Sequence, residues 1–214
     1  MKIFSQYSGV ATVFQRYWRH YGGASAVFMS PYFHVAVGLT AVLYPYWLHN
    51  SWWDLAINTI PGLLGFSLGG FAIWLAFGDR GFRSKIGTRA YGDASSAYMK
   101  VSAAFAHFIA LQIFALFAAI VAKATQFSIS PIGAVGQYIP RGLATFVVEI
   151  LAPTGHFIGF LLFCYALLSA LAASMAVFRV ASWFDFHLND SVRRNAARER
   201  RSRWRRKNAM KMRN

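Results

Sequence analysis

The chain has 214 residues, 57% of them hydrophobic, and a mean hydropathy of +0.38, too apolar for an ordinary soluble domain of this size. Its formal net charge of +15 opposes that reading only until the charges are located, since most fall in two loops and a tail. The single cysteine, Cys164, lies inside an apolar run and excludes both a disulfide framework and a cysteine-rich metal site.

In chain order, Lys2–Tyr21 is predicted to form an amphipathic helix. Phe4, Tyr7, Ala11, Phe14, Trp18 and Tyr21 share one stripe, while Gln15, Arg16, Arg19 and His20 lie elsewhere. Such a helix beside a membrane span lies in the headgroup layer or packs on neighbouring protein. Gly22-Gly23 breaks it. Met1–Met29 lacks a continuous apolar core and a small-residue cleavage site, so residues 1–29 are read as an interfacial segment and not as a cleavable signal.

A first span is expected at 32–48, entered through Pro31, with His34 near its start and Pro45 near its end. His49-Asn50-Ser51 is a short connection, which makes the first two spans an antiparallel hairpin. Trp47, Trp52 and Trp53 crowd that turn, where indole rings favour the water interface. The second span, 57–78, organises the rest. Its small residues Gly62, Gly65, Gly69, Ala72 and Ala76 step by three and four along one helical stripe that Asn58 extends, and Gly65 and Gly69 form a GxxxG pair. In lipid, close backbone approach over small residues takes the place of hydrophobic drive between helices. Bulky Leu64, Phe66, Leu68, Phe71, Ile73, Trp74, Leu75 and Phe77 occupy the other side, and Pro61 is assigned to the first turns, where the ring is tolerated.

Arg80–Lys100 reads as a polar loop carrying Arg80, Arg83, Lys85, Arg89 and Lys100, with Asp93 its acid after Asp79. A third span, 101–122, contains His107 and Gln112. Between Lys123 and Ile150, a glycine- and proline-rich run precedes LATFVVEIL, an apolar stretch too short to cross as a helix. An interfacial helix, a partial re-entrant element or an ordered outer cap are the alternatives there. Pro153-Thr154-Gly155 opens a fourth span, 156–179, which continues as helix towards Phe184 and carries a second small face of Gly159, Ala166, Ala170 and Ala173. Beyond Asp185 the chain is hydrophilic and arginine-dense. The expected fold is therefore an all-α polytopic membrane protein: four transmembrane helices within 30–184, an N-terminal amphipathic helix, and a basic C-terminal tail over 185–214.

The basic residues orient it. Three lie in the N-terminal segment, five in Arg80–Lys100, one at Arg179 and eleven in the tail, leaving only Lys123 and Arg141 of the 22 on the other side. By the positive-inside rule both termini are cytoplasmic, in a bacterial inner membrane.

Three features could carry chemistry. Intramembrane histidines are functional candidates by default, and His34 and His107, on spans one and three at similar depth, could clamp a b-type haem. That electron-transfer reading is the runner-up to a protein with no cofactor and no metal. Asn58, Ser67 and Gln112 are the mid-depth polar residues that an oligomeric, channel-like pore could use, although no acidic ring or filter-like run accompanies them. The tail, with Arg193, Arg194, Arg200, Arg201, Arg203, Arg205, Arg206 and Lys207, must bind something anionic. Cytoplasmic-leaflet lipid comes first, an acidic soluble partner second and nucleic acid third. No Gly-x-Ser-x-Gly, P-loop, His-Glu-x-x-His or paired carboxylates indicate an enzyme.

The run PGLLGFSLGGFAIWLAFGD, followed by a basic loop, resembles small uncharacterised multi-span membrane proteins of bacterial defence islands and prophages. The resemblance covers about 20 residues and implies a membrane subunit that perturbs or senses the bilayer during phage infection. It assigns no site residue. Together these features point to a non-enzymatic homo-oligomer whose small-residue stripes pack within and between subunits and whose basic tails gather on the cytoplasmic side.

Overall fold

The structure, a computed structural model, describes residues 2–88, 95–125 and 146–211. Expectations placed on Arg89, Asp93, Arg141 and the run 126–145 fall outside these residues, as do the side chains of Phe4, Arg205, Arg206 and Lys207. Among the described residues the fold is all-α, with no strand, and three helices are long and apolar enough to cross a membrane.

Helix α1, Lys2–Tyr21, ends at Gly22, whose φ of 111° few other residues adopt. Short α2, Gly23–Phe28, leads to α3, Pro31–Val42, which starts with proline in its first turn. The expected first span is not one continuous helix. It breaks at Leu43, and α4, Tyr44–His49, completes it. Pro45 explains the break, because it has no N–H to donate back into α3. Trp47 repairs part of the damage: its indole Nε1 donates to the Thr40 carbonyl at 2.7 Å, deep in the protein.

Helix α5, Trp52–Ala76, begins five residues earlier than expected, so Pro61 sits inside the helix rather than near its start. Packing holds the extra turns, since Trp52, Trp53, Ala56 and Ile60 are all buried. Gly78, at φ 88°, turns the chain into α6, Arg80–Gly87, a helix within what reads from sequence as loop. Asp79 caps it by accepting the Phe82 N–H at 2.7 Å, and Phe82 and Ile86, four apart, bury its inner face.

Helix α7, Ala97–Ala124, starts with Ser96 accepting the Met99 N–H. A π-helical turn, Val147–Leu151, then runs straight into α8, Ala152–Lys211, a single helix of 60 residues. The long helices form the core: α7 packs against α5 and α8, α3 lies chiefly on α8, and the end of α1 rests on α7. At one end Trp52, Trp53 and Ile60 interlock with Ala115, Ala119, Phe160 and Phe163. At the other, Trp74, Phe82, Phe105 and Val180 close a second core around α6. A salt bridge from Lys123 to Asp54, 2.8 Å, ties α7 to α5 at the first end.

Candidate functional site

The two small-residue faces behave oppositely. On α8, Gly159, Ala166 and Ala173 are buried at heptad spacing, with Ala170 half-buried beside them. A Cβ on Gly159 would come within 2.6 Å of the Trp52 ring, so this face is an internal interface that only glycine permits at that point. On α5, by contrast, Gly62, Gly65, Gly69, Ala72 and Ala76 are all exposed, and so is Asn58 on the same line. Nothing lies within 4 Å of a Cβ built on Gly62, Gly65 or Gly69. The inner face of α5 is instead the bulky one, with Trp53, Ala56, Ile60, Ser67 and Trp74 buried against α7 and α8. At 3.6 residues per turn the stripe points about 170° away from that face. Exposed Phe66 and Ile73 rim it on one side, and Leu68 and Leu75 on the other. The result is a groove with a backbone floor and apolar walls, facing away from the rest of the chain.

The histidines separate as well. His34 is exposed on α3, with a ring contact to Phe33, and no hydrogen bond or ring contact among the described residues joins it to His107. His107 is buried, and both of its ring nitrogens face tyrosines. The Tyr17 hydroxyl lies 2.8 Å from Nδ1 and the Tyr165 hydroxyl 3.5 Å from Nε2, while the Tyr21 ring stacks on the imidazole at 3.9 Å. Burial raises the Tyr17 and Tyr21 hydroxyls above their ordinary pKa, with Tyr165 adding to the shift, so both stay protonated at neutral pH. One neutral imidazole offers one N–H and one lone pair, which the tyrosines take up on either side. The cluster thus locks α1 onto α7 and α8, and His20, 2.6 Å from Ser95 Oγ, extends the lock. Sequence reading singled out His107 but not its tyrosines, which lie 90 and 58 residues away.

At mid-depth, fully buried Gln112 donates from Nε2 to Ser67 Oγ at 2.9 Å, joining α7 to α5, and its Oε1 has no partner among the described residues. These two residues therefore face each other inside one chain, and Asn58 points elsewhere. Among the described residues no three His, Cys, Asp or Glu side chains gather into a group that could hold a metal ion.

Arg193, Arg194, Arg200, Arg201 and Arg203 all lie exposed on α8, beyond its contacts with α6. Lys85 of α6 reaches Asp190 at 3.5 Å, and Arg194 reaches the same carboxylate at 2.8 Å. Arg194 by its hydrogen bond, ahead of Lys85, holds that carboxyl below its usual range. Past Arg194, the described residues of the helix show the i,i+4 contact of Arg203 to Glu199, 4.0 Å. No family model, curated protein or solved structure matches the chain.

Proposed function

We propose that the protein is a non-enzymatic inner-membrane subunit that assembles with copies of itself through the α5 groove and presents its basic helices to a cytoplasmic anionic partner. In this reading α3 and α4 together make the fourth crossing beside α5, α7 and α8. An even number of crossings puts both termini on the cytoplasmic side, as the basic residues require. The observation that carries the assembly is the exposure of the whole Gly62-to-Ala76 stripe, with nothing within 4 Å of its three glycines. Glycines that serve no packing inside the chain weaken a helix unless another backbone approaches them. A self-complementary contact over this groove gives a dimer, and a heterologous one gives a ring.

Such an assembly acts on the bilayer or through the partner it recruits, the role implied by the resemblance to defence-island membrane proteins. Arg80, Arg83 and Arg179, at the ends of the proposed crossings, are within reach of anionic headgroups. The test is Gly65→Leu with Gly69→Leu, read by size and crosslinking in mild detergent. Expected is loss of the oligomer with helix content and thermal unfolding of the monomer unchanged. An oligomer that survives both leucines removes the groove from the assembly.

A further inference from the structure

The segment of α8 beyond Arg194 is the most highly charged surface of the molecule, and its geometry narrows what can bind it. In the proposed reading the crossing ends at Arg179, and Val180, Trp183 and Phe184 beyond it pack with Phe82 and Ile86 of α6. Measured from Arg179, Arg193 stands roughly 21 Å and Lys207 roughly 42 Å further along. A headgroup layer is about 5–8 Å deep, an average span tilts about 20°, and screening at physiological salt acts over about 8 Å. The arginines from 193 onwards therefore lie beyond the electrostatic reach of the bilayer from which this helix emerges. Their arrangement on the helix is two-sided. Arg194, Arg198 and Arg201 form one exposed row, and Arg193, Arg200 and Arg203 another, about 140° apart. Like charges at i,i+3 and i,i+4, such as Arg194 with Arg198 and Arg200 with Arg203, repel and weaken an isolated helix. Asp190 and Glu199 offset only part of that. A helix docking in a protein groove needs apolar anchors along one face; residues 193–203 offer only Ala196 and Ala197, and the exposed Val192 and Trp204 that flank them lie about 120° apart around the helix.

We propose that this helix binds double-stranded DNA through its phosphates, an inference that rests on the reading that α8 crosses the membrane and leaves it near Arg179. A B-form major groove is about 12 Å wide, matching the roughly 10–12 Å diameter of a helix with its side chains. Phosphates flank it on both sides, so both arginine rows are neutralised at once, whereas a flat anionic surface would leave one row unpaired. Arginine is suited to phosphate by its planar fork of donors. Contacts from the arginines to phosphate carry the affinity, so the binding is governed by salt.

The experiment uses the full chain in nanodiscs of neutral phosphatidylcholine with a fluorescent 20-base-pair duplex, read by anisotropy between 50 and 200 mM salt. Expected is binding of about micromolar affinity at physiological salt. Either triple variant, Arg194/Arg198/Arg201→Gln or Arg193/Arg200/Arg203→Gln, should weaken it at least tenfold and flatten the slope of log K against log salt by about 3. A triple variant that binds like the parent, tighter binding of polyglutamate than of the duplex at equal charge, or binding that appears only when anionic lipid is added would each overturn the proposal. Thiol labelling of Ser202→Cys from the cytoplasmic side, in cells carrying Cys164→Ser, reports independently whether α8 delivers its end there. A correctly placed tail that ignores the duplex refutes DNA binding and leaves the membrane reading intact.

Discussion

Tyr17 holds the amphipathic helix to the bundle. Its hydroxyl, 2.8 Å from His107 Nδ1, is the short polar contact between α1 and α7 at this end, and the half-buried rings of Trp18 and Tyr21 pack around it. Removing the hydroxyl leaves a buried imidazole nitrogen without a partner, which costs about 1–3 kcal/mol. Tyr17→Phe should therefore loosen α1 without unfolding the long helices. Hydrogen exchange of the α1 amides should quicken about tenfold or more, with α7 unchanged. If exchange in α1 stays at the parent rate, the hydroxyl does not hold the helix. His107 was visible in the sequence as a costly residue at membrane depth. What it does there was not, because its partners come from helices far away in the chain, and a pairing with His34 was equally compatible with the spacing alone.

At the scale of elements, identical small-residue patterns have opposite fates. Gly159 faces the Trp52 ring at a distance that admits no side chain, while Gly65 and Gly69 face open space. Gly159→Leu should force the indole out of its site and destabilise the monomer by about 1–3 kcal/mol, the usual cost of overpacking. Thermal unfolding in detergent measures it, and an unshifted midpoint would mean that α5 and α8 do not meet there. The sequence carried both stripes plainly but not which side of each helix the bundle covers. That depends on the bulky residues across from the stripe, here Trp53, Ile60 and Trp74, finding α7. Helix α6 was legible in principle from Asp79 as a cap and from Phe82 and Ile86 four apart, but its charges made it read as loop. The break at Leu43 was foreshadowed by Pro45, while the early start of α5 was not, because packing of Trp52 and Trp53 outweighs the local preference against a proline inside a helix.

For the whole molecule, three helices have the length and apolarity to cross, and the proposal adds α3 with α4, two shorter helices broken at Leu43, as a fourth crossing. In the proposed four-span topology Gly87 is cytoplasmic and Thr125 lies outside. Reporter fusions at those two positions should give opposite signals, and a matching pair would require α3 and α4, or another segment, to turn back within the bilayer. Assembly is tested most directly by a cysteine scan along α5 in native membranes, in a Cys164→Ser background. Expected are disulfide-linked dimers at Gly62, Gly65, Gly69, Ala72 and Ala76, weaker linking at the rims Phe66 and Ile73, and none at buried Ser67 and Trp74. Linking that is uniform along the helix, or strongest away from the stripe, would contradict assembly through the glycine groove.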